Sequence, residues 1–221
     1  MLRHPAVPYV LPFAVFLLFL VLQPYNPLPG PLEQIVRVAI LAGVIWFFSR
    51  PVLDLRLASP LPTVAFGVGV FVAWILPDLL FPGYRGHWLF TNSLTGAVSS
   101  SIPPDDLRSP LVLLFRTMRA ALLVPIVEEL FWRGWLMRYL VDPDFEKVPF
   151  GRYAHQAFWI SAALFASEHG PYWEVGLLAG VAYNYWAIRT KRLGDCILAH
   201  GVTNLCLSVY TVATGKWEYW M

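Results

Sequence analysis

The sequence predicts an all-α polytopic membrane protein, a bundle of about seven transmembrane helices, with eight as the alternative count. Three observations predict it. Hydrophobic residues make up 57% of the 221 residues and charged ones only 14%, against roughly 25% charged in soluble domains. Mean hydropathy is +0.57, and apolar runs near the ~20 residues that cross a hydrocarbon core recur along the whole length. Tryptophans fall at expected span ends (Trp46, Trp88, Trp173, Trp217, Trp220), where their amphipathic rings suit the membrane interface. A soluble chain of this size has too little interior to hide that much apolar surface, so lipid must solvate part of it.

The elements follow in chain order. The first span, 8–23, follows Arg3 and His4 and has the outline of a signal peptide. No small-residue cleavage site comes after it, only Gln23-Pro24-Tyr25-Asn26-Pro27, so it reads as a retained helix. Further spans are expected at 34–49, 61–81, 118–138, 153–169, 172–189 and 194–214, the first and fifth of the seven being short. The stretch 110–120 either extends the fourth span or lies in the interface as a separate amphipathic helix. The loop 82–109, rich in Pro, Gly and Ser, is the longest non-apolar segment and the natural place for a lid or external cap. No internal repeat is visible, and residues 1–221 read as one membrane-embedded domain whose chemistry-bearing part spans about 110–210.

Positive charge orients the bundle. With the N-terminus cytoplasmic, the inner segments carry Arg3, Arg50, Arg56, Arg138, Lys147, Arg152, Arg189, Lys191 and Arg192, and the outer ones Arg85, Arg108 and Lys216. The expectation is an integral membrane protein, N-terminus in and C-terminus out. A net charge of +2 without a basic run gives no footprint for nucleic acid. Cys196 and Cys206 lie ten residues apart on one expected helix, about 15 Å along its axis, too far for a disulfide.

Charged residues at mid-depth need an explanation, because each costs roughly 2.5–3.5 kcal/mol at a helix centre. The fourth span holds Pro125-Ile126-Val127-Glu128-Glu129-Leu130-Phe131-Trp132-Arg133. Pro125 precedes Glu128 by about one turn and should bend the helix or free a carbonyl there. Glu129 and Arg133 stand at i and i+4 in the order that favours an ion pair. Glu128 is rotated about 100° away from that face and lacks such a partner, which leaves it as the group able to take a proton from water. A purely structural ion-pair knot is the plainer alternative. His169 ends the fifth span just before Gly170-Pro171, a place where a lone His is commonly a helix cap, with Glu168 and Glu174 expected to be solvated. His200 and Asn204, at i and i+4 of the seventh span, share one face; they suit either an oxyanion or hydrogen bonds between helices. Gly176, Gly180 and Asn184 of the sixth span also share a face, which close helix packing explains. His4, His87 and His155 sit where water reaches them.

Taken together, Glu-Glu-x-x-x-Arg (128–133), Phe-x-x-x-His (165–169) and His-x-x-x-Asn (200–204) occur in that order on three apolar helices. The set resembles the type II CAAX prenyl endopeptidases, also described as the CPBP or Abi family of intramembrane proteases. It is similar as well to the CAAX protease-related proteins of bacteria that accompany exosortase systems, which would place it in a bacterial inner membrane. The resemblance implies that Glu128 and His169 activate a water, that His200 and Asn204 stabilise the oxyanion, and that Glu129, Arg133 and Phe165 support the site. It implies membrane lipid and a protein or peptide substrate as partners. Both metal-free and zinc chemistry have been described for the family. Zinc would take Glu128, His169 and His200 as ligands with one position open, but no His-Glu-x-x-His signature is present, which favours the metal-free form. Two other functions remain open at this stage: a non-catalytic scaffold or immunity-type protein on the same fold, and a small proton-coupled transporter.

Overall fold

The computed structural model describes residues 4–220; Arg3, counted above among the inner charges, lies outside the described residues. Among those residues there are seven helices and no strand. They are α1 (Val7–Leu22), α2 (Gly30–Val44, prolonged by tighter and wider turns to Val52), α3 (Pro60–Leu80), α4 (Pro110–Tyr139), α5 (His155–Ser167), α6 (Trp173–Thr190) and α7 (Leu193–Thr214). Each expected span has its helix. Large apolar side chains such as Leu18, Val21, Phe47, Leu61 and Val209 are turned outward, which fits a surface solvated by lipid.

One alternative is decided and one detail differs from expectation. The stretch 110–120 joins the fourth span, so that α4 runs unbroken for 30 residues. It starts on Ser109-Pro110, with Pro at a first-turn position where its missing N–H costs nothing. Pro125 inside α4 has no N–H for the helical ladder, and the helix widens into π turns on both sides of it, at Arg119–Leu123 and Leu130–Leu136. The difference concerns α5 and α6. Only five helices are long and apolar enough to cross a membrane by length and composition, and these two are not among them. With 13 residues, α5 spans about 20 Å, short of a ~30 Å core. It stops because Gly170 takes a positive φ of 48° and Pro171 cannot continue it.

Helix α7 is the axis of the bundle, packed on α3, α4 and α6. Its crossings are close because small residues make them so. A Cβ on Gly67 of α3 would collide with the Ala199 carbonyl, and one on Gly201 would stand 2.8 Å from the Ala121 carbonyl of α4. The Thr203 hydroxyl bonds the Gly67 carbonyl at 2.8 Å across the first crossing. Asp195, fully buried at the start of α7, accepts from the Ala58 N–H (2.7 Å), the Ser59 N–H (3.2 Å) and the Thr63 hydroxyl (2.7 Å). It thus caps the N-terminus of α3 from another helix, satisfying donors that a helix start leaves open. Cys196 and Cys206 are both free thiols.

Candidate active site

The three polar motifs meet around one cavity of about 390 Å³ whose lining includes Glu128, His169, His200 and Asn204. Its walls are largely apolar, among them Leu17 and Leu20 of α1, Trp74 of α3 and Leu207 of α7. The depth difference between mid-span Glu128 and helix-end His169 disappears because α5 is short. Its last turn brings His169 beside the same cavity as the α4 carboxylate.

Glu129 and Arg133 form the i, i+4 pair that the spacing predicts, Nη1 to Oε1 at 2.9 Å, with both side chains at zero exposure. Arg133 has further partners in α6: Nε donates to Asn184 Oδ1 (2.9 Å) and Nη2 to the Gly180 carbonyl (3.1 Å). Its guanidinium carbon lies 4.9 Å from the Phe165 ring centre and 5.4 Å from that of Tyr183, two mutually perpendicular rings whose proximity offsets part of the lost hydration. Asn184 donates in turn to the Phe158 carbonyl (2.8 Å) and Ser161 Oγ (2.9 Å) of α5. Asn184 therefore ties α4, α5 and α6 together, a role that its glycine-rich face did not announce. Gly180 is also explained by packing, since a Cβ there would press on Ala162 at 3.1 Å.

His200 stands between the two glutamates. Its Nδ1 is 2.9 Å from Glu129 Oε1, and its Nε2 is 3.9 Å from Glu128 Oε2. The ring stacks on Tyr183 with centres 4.8 Å apart and planes within 19°. Glu128 lines the cavity; its Oε2 is buried beside the His200 ring and makes no hydrogen bond among the described residues. His169 lies 2.8 Å through Nδ1 from the Phe165 carbonyl. A carbonyl only accepts, so Nδ1 carries the proton and Nε2 is left with its lone pair. The imidazole is wedged edge-on against Trp74 (5.2 Å) and tilted against Phe165 (4.7 Å). Gly176 leaves room for it: a Cβ there would sit 3.1 Å from ring atoms. Asn204 gives one amide hydrogen to the Ala120 carbonyl (2.9 Å) in the widened part of α4 and keeps the other.

Glu168 was expected in solvent, and it is exposed, but the space it faces includes this cavity. Sequence spacing gave no reason to include it, because its neighbours in the cavity come from other helices. Among the described residues no group of three His, Cys, Asp or Glu side chains is placed to hold a metal ion. Glu128, His169 and His200 line one cavity without forming a ligand cluster.

Residues 110–206 match the family model described as type II CAAX prenyl endopeptidase Rce1-like. Neither the curated proteins nor the solved structures give a match.

Proposed function

We propose, from the premise that the segment 110–206 belongs to the Rce1-like family of type II CAAX prenyl endopeptidases, that this integral membrane protein hydrolyses a peptide bond of a membrane-associated protein. The observation that carries the reading is Glu128, a buried carboxylate that lines one cavity with His169, His200 and Asn204 and whose Oε2 makes no hydrogen bond among the described residues. A substrate segment lies along the apolar wall formed by α1 and α7, and a water stands between Glu128 and the Nε2 lone pair of His169. Glu128 takes a proton from that water as its oxygen adds to the carbonyl carbon. The oxyanion that forms is met by the free amide hydrogen of Asn204 and by His200, whose orientation is fixed on Glu129. On collapse the C–N bond breaks, and Glu128 returns its proton to the leaving nitrogen. Glu129 and Arg133 hold the frame, and no step passes through a metal.

Glu128→Gln tests this. The amide keeps the shape but takes no proton, so cleavage of a membrane-presented peptide library should fall at least 10²–10⁴-fold while the protein remains folded and monodisperse in detergent. Cleavage at the wild-type rate by that variant sinks the proposal. Exhaustive chelation of the wild type should leave cleavage intact.

A further inference from the structure

A second, more open cleft of about 260 Å³ adjoins the reaction cavity. Thr95, Ala97, Ser99 and Ser101 of the 82–109 loop line one side, and the α5–α6 turn lines the other. Glu168 borders both spaces. The two spaces differ in chemistry: the reaction cavity is mostly apolar, whereas the cleft presents three hydroxyl side chains and one carboxylate. Hydrolysis consumes a water for every bond cut. Water arriving past the leucines of α1 and α7 would leave its hydrogen bonds behind, while the cleft offers partners along the way.

We propose that this cleft is the water entrance of the reaction cavity, and that Glu168 is the positioning residue at its neck, ordering incoming water and carrying protons between the cavity and the outside. The proposal rests on Glu128 acting as the base. Its proton balance assigns Glu168 a task. Of the two water protons, one passes through Glu128 to the amine nitrogen. The other stays on the new carboxyl group and must leave when that group ionises. Glu168 accepts it and hands it to water in the cleft. The ionisable groups facing Glu168 are Glu128 and Arg133 of α4, with neighbouring His169 and, across the cavity, His200 of α7.

The test has one arm that needs no substrate. In the full chain with Cys196→Ala and Cys206→Ala, Glu168→Cys is labelled by a small charged methanethiosulfonate. Adding Ala97→Trp or Ser99→Trp, both at exposed loop positions, should slow labelling at least tenfold. Adding Leu20→Trp on the α1 wall should leave the rate unchanged. Equal labelling with the cleft filled, or a block by Leu20→Trp alone, overturns the entrance. In the second arm, with any peptide the wild type cleaves, Ala97→Trp should lower kcat severalfold with KM little changed. Glu168→Gln should lower kcat and remove a limb of the pH profile, and Glu168→Asp should restore it in part. A pH profile unaltered by Glu168→Gln overturns the relay. Full activity of Glu128→Gln would defeat the base assignment and leave the labelling result standing, so the two failures are distinguishable.

Discussion

Arg133 satisfies a carboxylate, a side-chain amide and a backbone carbonyl while lying beside two aromatic rings. Removing it leaves Glu129, whose side chain has no exposure, with only its contact to His200, and breaking a buried ion pair by deleting one partner costs about 3–5 kcal/mol. Arg133→Ala should therefore fail to accumulate as folded protein, read by size exclusion and thermal unfolding in detergent. Arg133→Lys should rescue little, since a single ammonium does not reproduce three divergent directions. The Glu129–Arg133 pair was legible in the sequence because i, i+4 spacing on a helix is local geometry. The bond from His200 to Glu129 was not, being set by how α7 crosses α4, 71 positions apart in the chain. Nor was the part played by Asn184, whose partners lie 51, 26 and 23 positions away. The Gly176 assignment to helix packing was incomplete, because its missing Cβ makes space for an imidazole. Gly176→Ala should press the His169 ring aside by a few tenths of an ångström. We expect a severalfold loss of kcat with an unfolding midpoint close to wild type; an unchanged kcat would show that the ring has room to spare.

At the scale of elements, hydropathy recovered each helix because a lipid-facing surface writes its period and length into composition. What it missed was where helices are irregular. Pro125 signalled a disturbance in α4, but not that widened turns would flank it on both sides, nor that the Ala120 carbonyl in one of them would receive Asn204. The length of α5 is a similar case. Gly170-Pro171 marked its end, but nothing local said that the end lies on the same cavity as Glu128. Asp195 shows the same limit from the side of stability. It caps α3 across a sequence separation of 132 to 137 residues, so no capping pattern beside α3 records it. Asp195→Ala should leave two backbone donors and a threonine hydroxyl unsatisfied and cost about 1–3 kcal/mol, read as a lowered unfolding midpoint. Asp195→Asn, which retains the volume and an acceptor oxygen, should cost less; equal losses would mean that the cap depends on the negative charge.

On the scale of the whole molecule, the 82–109 loop packs against the turn that follows the short α5. The loop descends far enough for a Cβ on Gly170 to stand 2.8 Å from the Thr95 carbonyl. A buried arginine fixes it there. Arg85 pairs with Asp78 of α3 (2.8 Å) and Glu174 of α6 (2.8 Å), donates to the Pro171 carbonyl (2.7 Å), and lies 3.8 Å from the centre of the Tyr172 ring. Tyr84 adds a bond to Glu174 (2.5 Å), and burial followed by that bond pushes its phenol pKa up. Tyr219, beyond α7, reaches Asp78 from the far side (3.0 Å). Between a lid and an external cap, these contacts favour a fixed cap, since a loop that swings open would break all of them in each cycle. Arg85→Met removes the one cation shared by two carboxylates while keeping much of the bulk. It should lower stability by about 1.5–3 kcal/mol, the range for hydrogen bonds to charged groups, and it should expose residues 82–109 to proteases that leave the wild-type loop intact. Because the loop also walls the cleft beside Glu168, the same variant should speed labelling at Glu168→Cys. Faster labelling with an unchanged proteolysis pattern would mean that the loop loosens only where it meets the α5–α6 turn. Protection and labelling both at wild-type levels would show that the Arg85 contacts do not hold the cap.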